Sequence, residues 1–97
     1  MSLNDFLNEL KNTLDEVNKN LSERKSGISG IGSMRELKFM SKELTTLYKT
    51  LSKDMTIPDK RVRSLSSAWI VIDSWEHGDK LGEHICRLDH LYKEELN

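Results

Sequence analysis

Three observations predict an all-α protein, an antiparallel helical bundle of three to four helices. Apolar residues recur three and four positions apart over long stretches, which at about 3.6 residues per turn puts them on one side of a helix. A single proline, Pro58, leaves long runs free of any helix breaker. The polar segments between the runs are short, as in connections between antiparallel neighbours. With 97 residues, 36% of them hydrophobic, the chain predicts one domain, residues 1–97, around one modest core.

The first helix is expected over about residues 3–24. Leu3, Leu7, Leu10, Leu14, Val17 and Leu21 draw a narrow seam, Phe6 widens its first turn, and Ser2 with Asp5 can cap its start. The seam fails at Ser26-Gly27. A second helix, over about 34–54, repeats the design with Leu37, Met40, Leu44, Leu47 and Leu51, and Ser33 with Glu36 forms an S-x-x-E capping box. Both run for about 20 residues, or about 30 Å. Neither seam is wide enough to be stable alone, so a further element must cover both.

The third helix, over about 59–77, supplies the cover. Thr56 and Asp59 can cap it around Pro58, and Val62, Leu65, Ala68, Trp69, Val71, Ile72 and Trp75 fill about half its circumference, with Ile70 outside that arc. Leu65, Trp69, Ile72 and Trp75 are the expected core or oligomer seam. Trp69 is placed in the core, where truncation to alanine costs about 3 to 5 kcal/mol. A fourth helix, over about 80–96, carries Leu81, Ile85, Leu88 and Tyr92 on a seam out of phase with Trp69 and Ile72. That phase jump predicts that Gly78 ends the third helix and Asp79 caps the fourth. The alternative is one long helix with a bent or rotating buried face.

The net charge of -1 conceals segregation: residues 33–54 carry five cations against three anions, whereas residues 73–97 carry three against seven. A globally basic nucleic-acid binder is disfavoured, though a local basic face is not. The lone Cys86 excludes an internal disulfide framework. No apolar run approaches the roughly 20 residues that span a bilayer. The start, MSLNDFLNEL, lacks the basic and apolar blocks of a secretory signal, so the cytoplasm is the expected compartment and no membrane partner is expected.

The stretch RKSGISGIGSMRE, residues 24–36, raises the question of a phosphate-holding loop. A Walker-type loop needs a preceding strand and a lysine after the last glycine, and neither is present. The GxxG of Gly27-Ile28-Ser29-Gly30 lacks the strands of a KH fold. Ile28-Ser29-Gly30-Ile31-Gly32 resembles the I-x-G-I-G loop of the helix-hairpin-helix motif, over about ten residues. That resemblance implies backbone N–H groups and a helix N-terminus binding DNA phosphate without reading sequence. The chain departs from it at Glu36, where the motif has a small residue. The preferred expectation is a plain turn in which the glycines take conformations closed to other residues and Ile28 and Ile31 plug the bundle end.

A basic row on the second helix accompanies this loop. Arg35, Lys38, Lys42, Lys49 and Lys53 lie close to one face, and Lys60, Arg61 and Arg63 follow. Candidate anion-binding residues are therefore Gly30, Gly32, Ser33, Arg35, Lys38, Lys42, Lys60, Arg61 and Arg63. The row is read as one without an interleaved aromatic for base stacking, which favours a solvated face or one complementary to the acidic segment. A third constellation is Glu76, Asp79, Glu83, Cys86 and His90, which would share one surface if the last two helices were continuous. It lacks the second ligand set that a metal centre needs. No metal or cofactor is expected, and no catalytic residues: no nucleophile has a base at recognisable spacing. The sequence thus predicts a non-enzymatic protein–protein interaction module, an adaptor, regulator or inhibitor, with self-association into a homo-oligomer, a dimer favoured, through the third helix or the outer hairpin. The alternative is an anion-binding module for nucleic acid or a nucleotide.

Overall fold

The computed structural model describes residues 1–97 and is all-helical. Helix α1 runs Leu3–Lys25, α2 Met34–Asp54, α3 Ser66–Ser74 and α4 Lys80–His90, the last continuing through a wide π turn over Leu91–Glu95. Helices α1 and α2 form the long antiparallel hairpin, α3 packs on α2 and α4, and α4 closes against α1. The core is a single cluster of leucines with Phe6, Val17, Met40, Ala68, Val71, Trp75, Ile85 and Tyr92, the Phe6 and Tyr92 rings stacking with centroids 5.4 Å apart.

The caps expected for α1, α2 and α4 are all formed. Ser2 Oγ accepts from the Asp5 N–H. Ser33 and Glu36 exchange both bonds of the capping box, at 3.1 and 3.0 Å. Asp79 accepts from the Gly82 N–H at 2.9 Å, and Gly78 takes φ +84 just before it. The chain is broken between α3 and α4: Trp75 is already extended, so the one-helix alternative does not hold.

Helix α3 departs from expectation in its start and in its facing. It begins at Ser66, not near residue 59, because the preceding segment is held by side chains remote in sequence. Asp59 accepts from the Arg61 N–H at 2.9 Å and starts a short 3₁₀ turn over Lys60–Val62, which leaves Val62 exposed. Arg63 reaches the Pro58 carbonyl and, across the bundle, those of Tyr92 and Leu96 at 3.2 and 2.7 Å. The Leu65 N–H donates to Asp89 of α4, and the Ser66 and Ser67 N–H groups donate to Glu43 of α2, each at 2.9 Å. Carboxylates from two neighbours thus define where the helix may start.

The facing follows. Seated in the seam between α2 and α4, this nine-residue helix buries Ser67, Ala68 and Val71, with Leu65 before it and Trp75 after it. Of the four residues expected in the core or an oligomer seam, Leu65 and Trp75 lie in the core. Trp69 and Ile72 do not: they stand on the outer surface, 57% and 61% exposed. A stripe narrower than the apolar half-circumference fits the seam, and the residues opposite it remain in water.

Candidate functional site

The outer layer of α3 opens onto a groove between α3 and α4 of about 300 Å³. Its apolar lining comes from Val71, Ile72, Trp75 and Cys86, and its rim carries Glu76, Asp79 and Glu83 with His77. No lysine or arginine lines it. Gly82 sets its depth, because a Cβ there would lie 3.0 Å from Val71 Cγ1, so the two helices approach closely at this point. Burial beside the Asp89 carboxylate pushes the Cys86 thiol above its ordinary range, burial contributing the larger part. The shift favours the neutral thiol, whose side chain adds to the apolar lining of the groove.

Four members of the acidic constellation, Glu76, Asp79, Glu83 and Cys86, therefore do meet, although through a broken helix and not a continuous one. His90 stands apart and lies 3.7 Å from Glu95. No three histidine, cysteine or carboxylate side chains converge as metal ligands would.

The glycine loop is organised from inside. Arg24, in the last turn of α1, donates to the carbonyls of Ile28, Ile31 and Gly32 and to Asn20 Oδ1. Gly30 lies directly against that guanidinium. Gly32 takes φ +79, and a Cβ on it would fall 2.6 Å from Trp75 Cζ2, so the indole covers the loop. Glu36 ties the two together: one oxygen accepts from the Ser33 N–H at 3.0 Å and from Trp75 Nε1 at 3.3 Å. A carboxylate of the chain itself thus takes the first donor of α2 that a phosphate would use.

No protein family, curated protein or solved structure matches the chain.

The remaining anion-site candidates divide between two ends of α2. Arg35, Lys38 and Lys42 are exposed near the loop. Lys60, Arg61 and Arg63 follow the far end, about 30 Å away along the helix. They are engaged there, Lys60 with Glu94 at 3.3 Å, Arg61 with Asp59 at 3.0 Å, and Arg63 with the carbonyls described above. The Arg61 hydrogen bonds hold the Asp59 carboxyl below its usual range. The structure does not bring the nine residues into one place.

One surface residue escaped sequence reasoning. Phe39 is 45% exposed and lies within the basic row, so the expectation of a row without an aromatic does not hold. The signal was available, because the seam Leu37, Met40, Leu44, Leu47 and Leu51 leaves position 39 off the buried face. Phe39 stands one turn from Glu36 and one turn from Glu43, both of which bond to the α3 segment, so it borders α3 on the outer layer. Arg35 and Lys42, one turn to either side, form a basic collar around it.

Proposed function

We propose that this chain is a small non-enzymatic interaction module, an adaptor, regulator or inhibitor, that holds a protein partner on the outer face of α3 and the adjoining α3–α4 groove. One observation carries the reading. Trp69 and Ile72 stand one turn apart, 57% and 61% exposed, and Ile72 lines a groove with an apolar floor and an acidic rim. Exposed tryptophan beside a hollow is the composition in which binding energy concentrates at interfaces. Self-association through the same face belongs to this reading, since a second copy would also cover the exposed side chains. The test is affinity capture with wild type, Trp69→Asp and a control variant, Lys19→Asp on the far side of α1. A partner kept by the control and lost by Trp69→Asp supports the reading. Identical capture by all three removes this face from the function.

A second reading has its own support in Phe39. An exposed aromatic flanked by Arg35 and Lys42, with Lys38 beside it, has the makings of a stacking platform in a phosphate-binding row. It predicts micromolar binding of single-stranded DNA at low salt, weakened by added salt and lost on Phe39→Ala or on charge reversal at Lys38 and Lys42. Absence of binding at low salt rejects it.

A further inference from the structure

The two edges of the exposed face are complementary to each other. At the α2 edge, Phe39 projects within the basic collar of Arg35 and Lys42. At the α4 edge, the groove offers an apolar floor of Val71, Ile72, Trp75 and Cys86 within the acidic rim of Glu76, Asp79 and Glu83. Trp69 lies between, and no side chain of Arg35, Lys42, Glu76 or Glu83 has a hydrogen-bond or salt-bridge partner within the chain. The knob cannot reach its own groove, because α3 separates the two.

We propose that the occupant of this groove is a second copy of the chain, docked by a two-fold axis that passes near Trp69 and places Phe39 of each copy in the α3–α4 groove of the other. The proposal rests on the reading of this face as an interaction surface and names its partner. Two-fold symmetry is the economical solution, because it uses both complementary edges twice and closes the assembly at two chains, whereas head-to-tail docking leaves an edge open for further growth. Arg35 and Lys42 then face Glu76 and Glu83 across each half of the interface, with Trp69 near the axis. Opposite charges at the edges set the register and disfavour the parallel alternatives in which like charges meet.

Charge exchange tests this independently of the apolar contacts. Wild type in a sedimentation-equilibrium dilution series is expected to move from 11.2 kDa to twice that mass as concentration rises through the micromolar range. An Arg35→Glu/Lys42→Glu variant and a Glu76→Lys/Glu83→Lys variant alter only exposed side chains, so each is expected to keep wild-type helicity. Each alone should associate at least about tenfold more weakly, since acidic faces acidic or basic faces basic. Mixed in equal amounts the two should recover the double mass, because the exchanged edges again pair as opposites in both halves. A wild type that stays at 11.2 kDa throughout overturns the second copy as occupant. So do charge-exchanged variants that associate as well as wild type, or a mixture no stronger than its components. A monomeric wild type that still captures a partner in a Trp69-dependent manner leaves the interaction-module reading standing, so the two failures are told apart.

Discussion

The Glu43 carboxylate of α2 caps α3 through Ser67: one oxygen accepts from the Ser67 N–H at 2.9 Å and from its hydroxyl at 2.6 Å. The other oxygen takes the Ser66 N–H. Leu65, the residue in the cap position, offers no side-chain oxygen of its own, so α3 depends on a residue more than 20 positions away for its start. Ser67 is fully buried, and the Glu43 carboxylate accepts from both its N–H and its hydroxyl.

Glu43→Ala should therefore destabilise the fold by about 1 to 3 kcal/mol, the range for a buried donor left without its acceptor. Glu43→Gln retains one acceptor oxygen and should lose less. Urea denaturation of both variants checks this. Equal midpoints for wild type and Glu43→Ala would mean that α3 finds its start without the carboxylate.

The two tryptophans should behave oppositely. Trp75 is buried between the glycine loop, the first turn of α2 and Gly82, and Trp75→Ala should cost about 3 to 5 kcal/mol. Trp69→Ala, measured where the chain is monomeric, should stay within about 0.5 kcal/mol of wild type. Emission spectra provide a second check: the Trp69→Phe variant, reporting Trp75 alone, should emit to the blue of Trp75→Phe.

What could be read from the sequence was whatever neighbouring residues decide. The seams of α1 and α2 with their capping serines, and the break at Gly78 followed by the Asp79 cap, all rest on partners within four positions. The start and facing of α3 do not. Glu43, Asp89 and the Tyr92 and Leu96 carbonyls that bind Arg63 lie 23 to 33 positions from their partners, and no periodicity encodes them. Counted as a helix from residue 59, α3 acquired an apolar arc that included Trp69. Held to nine residues in a seam, it buries a stripe that omits it. The candidate groove was half legible: its acidic members could be named from spacing, but the apolar floor needed the α3–α4 crossing at Gly82. Arg24 had a local signal, a cation in the last helical turn before a glycine-rich loop.

Alkaline pH should weaken the fold through two groups. Burial raises the Cys86 thiol and the Tyr92 phenol above their ordinary values, with Asp89 adding to the first. For both, the neutral form is the one the folded state prefers. Their contribution is complete below the unfolded values, about 8.5 for a thiol and about 10 for a phenol, and is lost as pH rises through the higher folded values. The urea midpoint should thus be lower at about pH 10.5 than at about pH 8. Tyr92→Phe preserves the ring stacked on Phe6 and should remove part of that fall. An unchanged pH dependence in Tyr92→Phe would show that the phenol ionises freely in the fold.

Two glycines of the first loop separate backbone strain from crowding. Gly27 and Gly32 take similar angles, φ +85 and +79, so alanine at either pays the left-handed penalty of about 1 to 2 kcal/mol. Their surroundings differ. A Cβ on Gly27 meets nothing within 4 Å, whereas one on Gly32 falls 2.6 Å from the Trp75 indole. That ring is held by its neighbours and by Glu36, so it cannot yield as an exposed side chain would. Gly32→Ala should therefore lose a further 1 to 3 kcal/mol or so beyond Gly27→Ala, the range for overpacking a filled site. In a Trp75→Phe background the smaller ring withdraws from the loop, and the excess should shrink while the common backbone penalty remains. If the two alanine variants unfold at the same urea concentration, Trp75 does not cover the loop. The turn would then be free to open toward an outside ligand, which is the one arrangement that would return the glycines to an anion site.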